Sequence, residues 1–150
     1  MNNHKLIIAH RGNLNGPNPK KENHPDYIKN AIDAGFNVEL DLWAINDKLY
    51  LGHDQAQYEI SVNFLYNHKF WIHAKNIDAA YILSNRTSLH WFFHDKDDCA
   101  LTSRGYLWTY PGKQLTPNSI AVMPERVTTL YDLSSCYGIC TDYPDKYKKL

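Results

Sequence analysis

The sequence runs to 150 residues, 43% hydrophobic and 13% aromatic, which fits one globular domain with a sizeable core and excludes a disordered chain. Sixteen Lys and Arg balance sixteen Asp and Glu, so charge gives no general footprint for nucleic acid or a membrane surface. No apolar run is long enough to span a membrane, and the polar residues 1–5 lead into a stretch too short for a signal peptide, so the expected compartment is cytoplasmic.

Residues 5–9 form an apolar run that reads as a strand ending at His10-Arg11-Gly12. A loop with Gly16, Pro17 and Pro19 follows, and Pro25-Asp26 opens a helix over 25–34 with Gly35 as its C-cap. Residues 36–43 alternate as a second strand, with Val38, Leu40 and Leu42 on one face and Glu39, Asp41 and Trp43 on the other. Asn46-Asp47 marks a turn, and residues 48–52 continue extended to His53-Asp54.

A third strand over 70–74 puts His73 on one face with Lys75, and residues 77–86 read as a helix. Short extended runs follow at 89–93, 99–102, 106–110, 120–123 and 138–140, with one more helix expected over 127–134. Only Ser103-Arg104-Gly105 separates two of these strands, so that pair is either a hairpin or includes a false strand. The strand–helix–strand opening argues for parallel pairing and an α/β fold.

Two residue types draw attention. The three cysteines, Cys99, Cys136 and Cys140, show no CxxC pair and read as ordinary thiols of a reducing compartment. Eight histidines are present where about three are ordinary for this length. Glu39-x-Asp41 places two carboxylates on one strand face, where a hard divalent cation would relieve their repulsion. The same pattern also describes a solvent-facing polar strand side. Arg11, following His10 at a strand end, offers a permanently charged fork suited to phosphate oxygens. His73 is of a type that ligates metals, and Lys75 adds a cation to its face.

The order His10-Arg11-Gly12, Glu22-Asn23, Gly35 before Glu39-x-Asp41, then His53-Asp54 resembles the signature of glycerophosphodiester phosphodiesterases, within the phosphatidylinositol-specific phospholipase C-like superfamily. Gly138-Ile139-Cys140-Thr141-Asp142-Tyr143-Pro144 looks like that family's closing strand and turn, so the resemblance spans residues 7–145 of a single domain. It implies a metal-dependent phosphodiesterase cleaving a glycerol- or sugar-linked diester, by hydrolysis or through a cyclic phosphate, in lipid metabolism. By resemblance His10 and His53 are the acid–base pair, and Glu39 and Asp41 ligate Mg²⁺ or Ca²⁺, with Mn²⁺ a further candidate. Arg11 and Lys75 face the phosphoryl oxygens, and Trp43, with Trp108, is expected against the substrate.

Two departures stand out. His73 occupies the place of the family's third carboxylate ligand, with Glu125 or Asp95 as substitutes, and an imidazole suits zinc or manganese better than magnesium. The chain is also short for the implied (β/α)₈ barrel, which typically needs about 250 residues. The expectation is therefore a reduced barrel with several outer helices shortened or missing, whose bare flanks a second copy or partner would cover. The other reading of the altered ligand position is a non-catalytic relative that binds phosphorylated polyols or glycans.

Overall fold

The computed structural model describes residues 4–150, so residues 1–3 of the polar amino-terminal stretch lie outside the described residues. β1 (Leu6–His10) leads through a long turn into α1 (Pro25–Asp33), whose first N–H groups are partly met by His24, which accepts from Asp26 N at 3.1 Å. Pro25 fits the first helical turn because its missing N–H would have no partner there. Ile28 and Ala31 bury one face of α1, and Gly35, at φ +98°, releases the chain into β2 (Asn37–Ile45).

Asn46 and Asp47, both at positive φ, turn β2 back into β3 (Lys48–Leu51), the hairpin turn that such residues favour. β4 (Tyr58–Ile60) extends the hairpin, and a 3₁₀ turn at Val62–Leu65 leads to β5 (Phe70–Ala74), α2 (Ile77–Ser84) and β6 (Trp91–Phe93). The second half comprises β7 (Cys99–Leu101), β8 (Leu107–Thr109), β9 (Ser119–Val122), a 3₁₀ turn at Pro124–Arg126, β10 (Gly138–Thr141) and α3 (Pro144–Tyr147).

All ten strands belong to one mixed, curled sheet. Seven run parallel in the order β6-β5-β2-β1-β10-β9-β8; β7 pairs antiparallel with β8, and β3 and β4 hang antiparallel from the far half of β2.

This architecture corrects the barrel expectation. Among the described residues the sheet curls into a half-barrel with only three short helices, and strands and helices do not alternate around it. Among the described residues no strand ladder joins β6 to β7; Ser103, just past β7, donates its N–H to Trp91 O at 2.7 Å. The cause is local. Two hairpins, at Asn46-Asp47 and at Ser103-Arg104-Gly105, reverse the chain where a barrel requires a crossover. The β8–β9 and β9–β10 connections carry no α-helix, and the helix expected over 127–134 does not form: Leu130 is fully exposed. β4 and α3 are elements the sequence pattern did not announce.

Pleat and register set the two faces. Val38, Leu40, Leu42, Ile72 and Ala74 point outward and pack with Ile28, Ala31 and Leu83 of α1 and α2. Ile8, Trp71, Phe92, Trp108, Ile120 and Cys140 fill the inside of the curl. The residues one pleat further along the same inner face make the site.

Candidate functional site

Parallel register places the charged groups side by side at the carboxyl ends of the strands. His10 of β1 pairs with Glu39 of β2, and Asp41 of β2 pairs with His73 of β5. Their side chains share the inner face, so a strand spacing near 4.8 Å brings all four together. They line a cleft of about 380 Å³ with Arg11, Lys75 and His53. A larger groove of about 1500 Å³ at the opposite rim, bounded by Lys5, Phe36 and Tyr131, holds none of these groups.

Glu39, Asp41 and His73 each offer one ligand atom, and these atoms all lie within 4.8 Å of one another. Both carboxylates are almost wholly buried. Asp41 Oδ1 and His73 Nε2 are buried and make no hydrogen bond, a costly state in a folded protein unless something binds them. The donor set fits a divalent cation: two carboxylates and an imidazole that burial keeps neutral, since desolvation lowers the His73 pKa despite Asp41 beside it. Phe92 stacks on the His73 ring at 4.8 Å and fixes its plane.

The two carboxylates titrate apart. Burial and the neighbouring Asp41 charge push Glu39 well above the usual carboxylate range. Burial opposes ionisation of Asp41 too, but contacts with His53 and His73 and the charge of Arg11 outweigh it and hold Asp41 well below that range. Asn23 braces Asp41 twice, donating Nδ2–H to Oδ2 at 2.8 Å and accepting the Asp41 N–H at 2.9 Å.

Arg11 and Gly12 both adopt positive φ, at 54° and 84°, which bends the chain sharply over the cleft. The Arg11 guanidinium lies 3.2 Å from Glu22 Oε2 and 3.4 Å from Asp41 Oδ2, and donates to His53 Nε2 at 3.0 Å. Lys75 Nζ stands 3.8 Å from Asp41 Oδ1. His53 is the most exposed of the group, with its Nδ1 3.5 Å from Asp41 Oδ2, while Asp54 is almost fully exposed beside it.

The pattern of single residues missed one functional group. Asp142, one residue past β10, bonds His10 Nδ1 at 2.7 Å through Oδ1, which also accepts from Asn13 Nδ2 at 2.9 Å. Burial would raise its pKa, but the His10 bond leads the contacts that hold it down. An ionised Asp142 at Nδ1 leaves His10 Nε2 facing the cleft, 3.8 Å from Glu39 Oε2. The Thr-Asp-x-Pro turn had marked this residue without assigning it a role.

Other expected residues fall elsewhere. Trp43 does not line the cleft; it donates Nε1–H to Gly52 O at 2.7 Å and so supports the loop that carries His53. Trp108 and Tyr110 form the aromatic wall instead, stacked on Phe92 at 4.7 Å and on His94 at 3.8 Å. Glu125 does not join the Glu39–Asp41–His73 group: its Oε1 accepts from Thr141 Oγ1 at 2.8 Å and Asp142 N at 3.0 Å, bracing the end of β10. Asp95 reaches the cleft rim but does not join the Glu39–Asp41–His73 group. Cys136 and Cys140 are buried free thiols, and Cys99 is an exposed one.

Comparisons of the chain with protein-family models, with curated proteins and with solved structures give no match. No helix among the described residues is long and apolar enough to cross a membrane.

Proposed function

We propose that the chain is a metal-dependent phosphodiesterase acting on a small glycerol- or sugar-linked phosphodiester. What supports this reading most is the meeting of His10 and His53 with the Glu39–Asp41–His73 group and Arg11 in one cleft. The motif resemblance to glycerophosphodiester phosphodiesterases points the same way. Glu39, Asp41 and His73 would hold a divalent cation, Mg²⁺, Ca²⁺ or Mn²⁺, which supplies charge stabilisation to the phosphoryl oxygens.

The protein's own groups divide the rest of the work. Arg11 exchanges its contact with His53 for a non-bridging oxygen, and Lys75 adds a second positive charge. His10 Nε2 takes the proton of the attacking hydroxyl, and Asp142 stabilises the imidazolium so formed. As the new P–O bond forms, the bond to the leaving alcohol breaks, and His53 protonates the departing oxygen. The nucleophile is water or a neighbouring hydroxyl of the substrate, giving a monoester or a cyclic phosphate.

The test is release of alcohol from bis(p-nitrophenyl) phosphate and from glycerophosphodiesters, with and without each cation. Cation-dependent turnover abolished by His10→Ala and by His53→Ala is the expected result. Turnover indifferent to both substitutions would sink the assignment.

A further inference from the structure

Among the described residues, Arg126 is the one Lys or Arg side chain lining the cleft that the mechanism does not use. Its place is built by an unusual turn. Met123, a buried non-glycine residue, adopts φ 47°, ψ 52°, the left-handed region that costs such a side chain energy. That conformation ends β9 and opens the 3₁₀ turn Pro124–Arg126. Glu125 pins the turn inward through Thr141 and Asp142 N, and the next side chain therefore projects over the cleft.

The Arg126 guanidinium is 60% exposed and makes no hydrogen bond among the described residues. Its nearest carboxylate oxygen, Asp142 Oδ2, stands 3.7 Å away, and Asp142 is already committed to His10 and Asn13 through Oδ1. Arg11, by contrast, is enclosed by Glu22, Asp41 and His53. Strand order separates the two cations. Arg126 rises from the end of β9, two strands from β1 and three from the β2 carboxylates, and Asp142 stands between its guanidinium and His10, 3.7 Å from the one and 2.7 Å from the other. Val122 and Met123 line the cleft on its side, packed in one cluster with Trp108 of the neighbouring strand β8 and Tyr110 just past it.

We propose that Arg126 forms a second anion subsite, so that the preferred substrate carries, a few carbons from the scissile phosphorus, another anionic group, phosphate or carboxylate. The proposal rests on the phosphodiesterase reading for the position of the scissile group. A planar fork with five donors, of which only those of Nη2 face a carboxylate, Asp142 Oδ2 at 3.7 Å, matches either oxyanion in two-point contact. The apolar wall of Val122, Met123, Trp108 and Tyr110 beside Arg126 accommodates the carbon chain, and a substrate with one charge leaves Arg126 unused.

Two measurements test it separately from that reading. The first is equilibrium binding, by calorimetry with and without Ca²⁺, of glycerol 3-phosphate, 3-phosphoglycerate and glycerol 1,3-bisphosphate. The wild type should bind the two compounds that carry a second anionic group about fivefold to tenfold more tightly than glycerol 3-phosphate, a discount on a buried pair because Arg126 is exposed. Arg126→Ala should level the three, and Arg126→Lys should restore part of the difference. Equal affinities in the wild type, or an advantage that survives Arg126→Ala, overturn the subsite. An advantage for only one of these two compounds identifies which oxyanion it takes.

The second measurement is turnover of bis(p-nitrophenyl) phosphate, which has a single charge. Arg126→Ala also removes the 3.7 Å contact with Asp142, so the readout is relative: kcat/KM for a glycerophosphodiester bearing a second phosphate should fall about fivefold further than for this compound. An equal fall for both would mean that Arg126 acts by holding Asp142, and the subsite would be rejected. Should no form turn this diester or the glycerophosphodiesters over, the phosphodiesterase reading fails, while the binding series still decides whether Arg126 holds an anion.

Discussion

Residues 6–93 cover the outside of their parallel strands with α1 and α2, whereas residues 99–142 cover theirs with an irregular segment in which Tyr131 and Leu133 press on Ala121 and Ile139. The helix-backed half carries Glu39, Asp41, His73 and Arg11 in the cleft, and the loop-backed half contributes Trp108, Tyr110, Asp142 and Arg126. Clustering buried charge requires strands that cannot shift, and closely packed helices supply that rigidity. An aromatic wall tolerates thinner support, because its contacts are many and individually weak.

Four experiments can break or sharpen this contrast. The largest effect belongs to the helix-backed half: His10→Ala should lower phosphodiester turnover about 10³-fold with the far-ultraviolet circular dichroism unchanged. A loss under tenfold would remove His10 from the chemistry. Stability should show the same asymmetry. Leu40→Ala, fully buried beneath the helices, should cost roughly 3 kcal/mol in urea unfolding, and the half-buried Leu133→Ala roughly 1 kcal/mol. Equal costs would show that both coverings pack alike.

Next in size is the one chemical contribution expected of the loop-backed half. Asp142→Asn keeps the shape of the bond to His10 but not its charge, and kcat should fall about 10²-fold with little change in KM. A fall shared by KM would place Asp142 in binding instead.

The smallest effect lies at the seam between the halves. His90, just before β6, is 5% exposed, accepts or donates one bond with Thr102 Oγ1 at 2.8 Å, and packs against Trp71. Burial, with Arg104 assisting, lowers its pKa to about 4 from an unfolded value of 6.5. The unfolded chain then binds a proton that the folded chain refuses between those values. Stability from this residue is complete above pH 6.5 and is lost as pH falls toward 4, by about 2 kcal/mol between pH 7 and 4.5. His90→Asn should flatten that part of the stability–pH curve; an unchanged slope would assign the acid sensitivity to other groups.

Most of the first half was legible in the sequence because its signals are local and periodic. Pro25 and Gly35 bracket α1, the alternation through Glu39 and Asp41 sets their face, and residues 70–74 coincide with β5. The barrel expectation came from the motif resemblance and not from any period in the second half, where strands of three or four residues leave too few repeats to reveal a connection's path. Trp43 shared the parity of Glu39 and Asp41, yet lies where β2 has left the parallel ladder and pairs with Tyr50 of β3. Parity gives a face; only the partner strand decides what that face meets. Asp142 was out of reach for a related reason, since its bond to His10 spans 132 positions of chain.

The reciprocal bonds between Asn23 and Asp41 have a consequence for handling the protein. They fasten the proline-bearing segment between β1 and α1 to the deepest carboxylate of the cleft, so that segment cannot lift without stripping Asp41 of both bonds. A peptidase that must draw the segment out to cut it is therefore competing with whatever occupies the Asp41 position. Resistance to nicking between Gly16 and Glu22 becomes a reporter of occupancy that requires neither a chromogenic compound nor knowledge of the natural substrate.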